Sequence, residues 1–301
     1  MDSRLTRRNF LIGAATVMGA AACSKGKGVI HVGDGQGTQL NLLVTSGAVD
    51  GPGDQALSVF EAGIDQRVAY VLTGKNGLLT PGPGTTTLQV GTDQKRLGPA
   101  VLVEVHSDTG ASTNTYLTTN YRFPAAGTYW LRASFQGQTA DSPVVVIDRT
   151  DAKIPLPGQK LISTPTPTDS DHRGVEPICT RTPPCPFHTQ SLDDALTKHL
   201  PMALLFATPA LCESAFCGPV LDTLIAAAPA YAGKINFVHS EIFTALSRNA
   251  ANTPAVLAYH LQSEPVLFLA DANGVVVQRI DALFGKAEAT AALARLATGG
   301  A

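Results

Sequence analysis

Between Arg149 and Gln190 the chain carries a disproportionate share of its 20 prolines, in the runs "PLP", "PTPTD" and "RTPPCPF". Each proline lacks a backbone donor and fixes φ, so this stretch can make neither a regular helix nor a central strand. It reads as a linker, residues 149–190, that ends in a constrained loop and divides the 301-residue chain into two unlike parts. A chain of this length is expected to hold about two domains of ordinary size, each with its own core.

Ahead of the linker, over residues 38–148, short apolar and polar residues alternate between turn formers. "LNLLVTSG", "RVAYVLTG", "TTTLQVG", "AVLVEVHSD", "NYRFP", "GTYWLRASFQG" and "SPVVVID" read as strands. Such runs at short spacing predict an all-β sandwich. The segment Tyr121–Asp148 resembles the last two strands of bacterial immunoglobulin-like domains, which makes the sandwich immunoglobulin-like. Trp130 is expected in its core. Glu104, His106 and Asp108 are expected as solvated residues at a strand end, so this half offers no catalytic constellation.

After the linker, over residues 191–298, the pattern changes to alternating helix and strand. "SLDDALTKHL" opens with Ser191 and carries Asp194 three residues on, close to a capping box, and predicts a helix. "MALLFAT" reads as a buried strand, "SAFCGPVLDTLIAAAPAY" as an amphipathic helix and "KINFVHSEIF" as a second strand. "TPAVLAYHL" predicts a short helix, "PVLFLADANGVVVQRID" a hairpin turning at Ala272–Gly274, and "KAEATAALARLA" a closing helix. A central sheet with helices on both sides is the expected α/β arrangement.

The N-terminus reads as an address, residues 1–22, followed by a flexible tether, residues 23–37. Its apolar run, Phe10–Ala22, is shorter than the roughly 20 residues a helix needs to span a bilayer. "TRRNFL", with Arg7 and Arg8, resembles the twin-arginine export motif. "GAAAC" resembles a bacterial lipobox, and that resemblance implies lipidation of Cys23 and an extracytoplasmic, membrane-anchored protein. A net charge of -2 points to no nucleic-acid partner. Setting Cys23 aside leaves Cys179, Cys185, Cys212 and Cys217, an even count that in an oxidising compartment favours two bridges. Sequence leaves open which of the three pairings forms. "CTRTPPC", Cys179 to Cys185, closes on itself in one of them.

Three features of the last part resemble thioredoxin-like proteins: Cys212 at the junction of buried strand and helix, "PVLD" at Pro219–Asp222, and the proline-strand-hairpin-glycine segment "SEPVLFLADANGVVVQRIDALFG". The resemblance implies that Pro265 is the counterpart of the family's cis-proline, that Cys212 is the nucleophile and that Cys217 resolves. A cysteine at a helix N-terminus meets unpaired N–H groups and the positive end of the helix dipole, which favour its thiolate. The spacing departs from the family: the dithiol is C-x4-C rather than C-x2-C, Leu211 replaces an aromatic residue, and "MALLFAT" has no buried carboxylate. In regular helix the two cysteines would lie about 7.5 Å apart along the axis, so a bridge requires a turn within Glu213–Phe216. Glu264 beside Pro265 adds a negative charge that opposes thiolate formation.

Three functional readings follow. The first is thiol-disulfide exchange on envelope proteins that carry thiols or disulfides, with Cys179–Cys185 as a separate structural bridge and no soluble cofactor, since "GDGQG" neither follows a strand nor opens a helix. The second is a non-enzymatic envelope-binding lipoprotein in which both cysteine pairs are clamps. The third is copper binding by Cys212 and Cys217 with His188 and His239, because Sco-family copper chaperones also place two cysteines and a distant histidine on a thioredoxin-like fold. A four-cysteine zinc site fits least, since neither spacing resembles a zinc knuckle.

Overall fold

The computed structural model describes residues 40–45, 59–75, 77–82, 84–107, 115–212 and 216–299. Arg7, Arg8, Cys23, the "GDGQG" segment and Asp108 lie outside the described residues.

The first part contains β1 (Asn41–Val44), β2 (Val59–Glu61), β3 (Asp65–Gly74), β4 (Gly77–Leu78), β5 (Thr86–Gly91), β6 (Ala100–Val101), β7 (Glu104–His106), β8 (Tyr116–Arg122), β9 (Gly127–Phe135) and β10 (Gln138–Ile147). One sheet runs β1-β3-β8-β7 with β4 on β3, and the other runs β2-β10-β9-β5-β6. Leu72, Leu117 and Phe123 from the first meet Leu88, Leu131 and Val144 from the second in a shared core, which is a β-sandwich. In β9 the two-residue period buries Tyr129, Leu131, Ala133 and Phe135. Trp130 therefore falls on the opposite face, half-buried, and is not the core residue expected of it. The run "AVLVEVHSD" is likewise two strands: β6 pairs with β5, β7 pairs with β8, and Leu102 between them is 84% exposed.

The second part contains α1 (Leu192–Leu196), β11 (Met202–Phe206), α2 (Cys217–Ala227), β12 (Asn236–Ser240), α3 (Pro254–Ala258), β13 (Val266–Ala270), β14 (Val276–Asp281) and α4 (Lys286–Ala297). Its sheet has the order β12-β11-β13-β14. β12 is parallel to β11, while β13 is antiparallel to both β11 and β14. Both faces are buried, so the strands read as unbroken apolar runs. Ala203 and Leu205 face α2 and α4, whereas Met202, Leu204 and Phe206 face α1 and α3. Ser191 makes no side-chain cap to α1. Instead its Oγ accepts from Thr166 N, and Thr166 Oγ1 accepts from Leu192 N, so Thr166 satisfies the first N–H of the helix from outside it.

The proline-rich stretch is more than a linker. Ile154, Leu156 and Leu161 are buried against the α3 face, and Cys179, Cys185 and Phe187 against the α2 face. Proline forbids regular structure but not burial, and here the segment straps the sheet. At one edge Gly158 N donates to Val276 O and Val276 N to Gln159 O, and at the other His239 N donates to Phe187 O.

The two parts are joined by apolar contacts, with Val71, Leu78 and Tyr116 in one core with α2 and α4, and by polar ones. Arg67 donates to the carbonyls of Asp281 (3.1 Å) and Leu283 (2.7 Å) and pairs with Glu288. Tyr116 donates to Glu288 Oε2 and accepts from Gly285 N, both at 2.8 Å. Among the described residues no helix is long and apolar enough to cross a membrane.

Candidate functional site

Two sulfur clusters lie near the carboxyl ends of the parallel strands β11 and β12. The first belongs to the loop leaving β11. Thr208 O accepts from the N–H groups of Leu211 (3.1 Å) and Cys212 (2.9 Å), turning the chain before α2. Cys212, half-buried, thus precedes the helix, and Cys217 is the helix's first residue. This corrects the expected placement of Cys212 at the helix N-terminus, yet the helix still acts on it. The Cys217 N–H, one of the donors that a helix cannot satisfy internally, points to Cys212 Sγ at 3.4 Å. Residues 213–215, where a turn was expected, are outside the described residues.

Cys217 is fully buried. Burial, its hydrogen bond with Cys212 and the charge of Glu264 push its thiol pKa well up. The sulfurs of both cysteines and a Glu264 carboxylate oxygen lie within 4.8 Å of one another. The Glu264–Pro265 peptide is cis and leads directly into β13. A groove of about 440 Å³ opens beside this cluster, lined by Leu211, Ile242, Phe243, Val256, Leu261 and Glu264 among others.

The second cluster gathers residues far apart in sequence. Cys179, Cys185 and His188 come from the proline-rich strap and His239 from β12, all four buried and with one sulfur or nitrogen of each within 4.8 Å of the others. His239 is opposite Leu205 in the β11–β12 register, so its ring turns toward the face that the strap covers. Its Nδ1 lies 3.1 Å from His188 Nε2, 3.4 Å from Cys185 Sγ and 3.9 Å from Cys179 Sγ. Phe187 stacks on Phe237 at 5.2 Å and seats the strap there.

The electrostatics of this cluster are asymmetric. The hydrogen bond from Cys185, helped by the two imidazoles, lowers the Cys179 pKa despite burial. Donation to Cys179 together with burial raises that of Cys185. One sulfur is therefore the preferred site of negative charge. Burial pulls His239 toward the neutral form, but Cys179, Glu241 and the Ala207 carbonyl outweigh it and raise its pKa.

Cys179 and Cys185, expected as a bridge, are both unbridged thiols. Their loop brings Cys185 N onto Cys179 Sγ at 3.4 Å and turns both sulfurs toward the imidazoles. The copper set expected from the sequence is not assembled either: His188 and His239 sit with Cys179 and Cys185, whereas Cys212 and Cys217 have Glu264. Each residue had been visible singly. Their grouping was not, because His239 reaches the strap only through strand register.

No protein-family profile matches the chain. No curated protein matches it either. Among solved structures the chain is similar to the Lin-41 filamin domain, at 14% identity and a TM-score of 0.22, covering 36% of this chain and 91% of that one. It is similar to the M1 domain of titin at 9% identity and a TM-score of 0.20, covering 38% and 97% respectively. It is also similar to FdeC, an Escherichia coli adhesin, at 18% identity and a TM-score of 0.22, covering 40% and 37%. The sandwich itself rests on its own strand pairing and shared core.

Proposed function

We propose that the C-terminal half is a thioredoxin-like domain that exchanges disulfides with envelope proteins, held outside the cytoplasmic membrane by a lipid on Cys23 and carrying an immunoglobulin-like sandwich. The observation that carries this reading is the convergence of a reachable Cys212 and a sealed Cys217 beside Pro265. The strand order β12-β11-β13-β14, with α2 and α4 on one face, supports the fold.

In this reading the Cys212 thiolate, favoured by the first helical N–H, attacks one sulfur of a partner disulfide and releases the other as a thiolate. A mixed disulfide forms. Cys217 then gives up its proton, with the Glu264 carboxylate beside it as acceptor, and attacks Cys212 Sγ. The partner's second sulfur leaves as a thiolate, so two electrons pass to the partner and Cys212–Cys217 becomes a disulfide. The reverse sequence oxidises a partner dithiol, and the direction follows the relative potentials. The groove beside Glu264, apolar at Leu211, Ile242, Val256 and Leu261 and polar at Arg248, Asn252 and Gln262, suits the side chains of an extended segment around the partner's sulfur.

The test is a redox titration of the full chain with alkylation and peptide mapping. A Cys212–Cys217 bridge reduced well above about -300 mV agrees with a working exchange pair. A bridge that resists reduction below about -300 mV is a clamp and defeats the reading.

A further inference from the structure

We propose that Cys179, Cys185, His188 and His239 form a closed, four-coordinate zinc site that pins the proline-rich strap to β12. The donor set is two sulfurs and two imidazole nitrogens, the combination that suits tetrahedral zinc. Zinc bonds of about 2.0–2.1 Å to nitrogen and about 2.3 Å to sulfur place tetrahedral nitrogens about 3.3 Å apart, and nitrogen and sulfur about 3.6 Å apart. The separations here are 3.1 Å between the imidazole nitrogens, and 3.4 and 3.9 Å from His239 Nδ1 to the two sulfurs.

The hydrogen bonding also aims one ligand nitrogen into the cluster. His239 Nε2 lies 3.0 Å from Ala207 O. A carbonyl only accepts, so Nε2 carries the hydrogen and a neutral ring turns its Nδ1 lone pair into the cluster. That lone pair meets His188 Nε2. His188 Nδ1 is buried without a hydrogen-bond partner, so in the metal-free cluster the ring carries its hydrogen on Nε2 and donates to His239 Nδ1, and metal binding at Nε2 moves that hydrogen to Nδ1. A metal would take the place of the proton that lies between these two nitrogens in the metal-free cluster. The Ala207 carbonyl also does what outer partners of zinc-bound histidines do, fixing both tautomer and ring orientation.

Charge selects the valence. Zinc with two thiolates and two neutral imidazoles is neutral overall, whereas a monovalent ion would leave a buried negative charge. Glu241, itself buried, stands beside His239, with its Oε1 accepting from Thr180 N at 2.6 Å. With all four positions filled by protein the ion has no open site, so its role is structural. Binding displaces about two protons from the four ligands to solvent.

The experiment uses the full chain, purified with its thiols reduced. Elemental analysis is expected to find one zinc per chain. Cobalt substitution is expected to give the visible bands of a tetrahedral ion with thiolate charge transfer, and metal should shield Cys179 and Cys185 from alkylation until a chelator is added. Cys179→Ser and His239→Gln should lose the metal and the cobalt bands, while a Cys212→Ser/Cys217→Ser variant keeps both. If the ligand variants fail to fold, cobalt and proton-release titrations of the unaltered apo-chain decide the matter. Four outcomes overturn the proposal: reduced protein that takes up neither zinc nor cobalt, metal that is lost with Cys212 and Cys217 instead, a native Cys179–Cys185 disulfide, or binding of cuprous ion with no binding of zinc.

Discussion

His239 donates its Nε2 hydrogen to the carbonyl of Ala207 at 3.0 Å, and through that bond the two sulfur clusters share one loop. The next residue, Thr208, holds Cys212 by its backbone N–H. Thr180, next to Cys179, accepts from Ala210 N at 3.1 Å in the same loop. Replacing His239 with Leu is therefore expected to slow exchange at Cys212 severalfold without touching either of its sulfurs. Single-turnover kinetics on a disulfide peptide measure it, and an unchanged rate would show that the loop holds its shape alone.

The two thiols of the exchange pair should differ in reactivity. Cys217 is sealed and its pKa is raised, so its thiolate fraction stays small through neutral pH. Iodoacetamide at pH 7 to 8 is expected to modify Cys212 first, read by peptide mass mapping. Cys212→Ala should abolish exchange, whereas Cys217→Ala should accumulate the mixed disulfide. Full exchange activity in Cys212→Ala would remove Cys212 from the nucleophile role.

Arg67 and Glu288 form an ion pair between the two parts, with side chains only 10% and 16% exposed. Arg67→Leu should destabilise the chain by about 2 kcal/mol, somewhat less than breaking a fully buried pair, because two carbonyls lose a donor and Glu288 keeps only Tyr116 of the two donors described. A double variant with Glu288→Gln should cost less than the sum of the singles. Urea unfolding of all three chains measures it, and strict additivity would mean that the pair contributes nothing of its own.

Asp141 on β10 faces Arg132 on β9 across the antiparallel pair, at 2.6 Å. The Arg132 hydrogen bond holds the Asp141 carboxyl below its ordinary value of 3.8. A lowered folded pKa adds stability that is present above 3.8 and fades as pH falls through the folded value. Asp141→Asn should therefore destabilise at pH 7 by about 1 kcal/mol or less, as the pair is partly open to solvent. The difference should shrink toward zero in acid. A difference that persists at pH 2 would assign the effect to shape instead of charge.

Much of the architecture was legible in the sequence because it is local. The period of "KAEATAALARLA" delimits α4, and "DANG" places the turn between β13 and β14. β2 and β4 have three and two residues, too short for any period to register. Alternation placed Ala100–His106 in a strand, but it cannot tell that the run changes sheets at Leu102 and Val103. Trp130 was assigned by its size, whereas the phase set by Tyr129 and Leu131 decided its face. At the site, Cys212, Cys217 and Pro265 are adjacent to element ends and could be read from order. The other four donors converge only when β12 lies parallel to β11 and the strap crosses the sheet, a long-range outcome with no spacing to announce it.

The strap also predicts where the second part can be cut. A fragment from Ser191 lacks Ile154, Leu156 and Leu161, and should expose the α3 face and expand, as seen by dye binding and hydrogen exchange. A fragment from Arg149 should be the more compact. Equal behaviour of the two would mean that the strap adds little to the core.

Strands at the rim of a sheet carry unpaired backbone groups that can recruit another chain, and unfolding intermediates with open rims are where aggregation begins. In this protein one segment reaches both rims of the four-stranded sheet: Gly158 and Gln159 pair with Val276 on one side, and Phe187 pairs with His239 on the other. Arg67 continues the cover at the Asp281 carbonyl. The proline-rich segment, itself unable to extend a central strand, thus covers part of each rim with a stretch that cannot be propagated, and shortens the open edge that another chain could pair with.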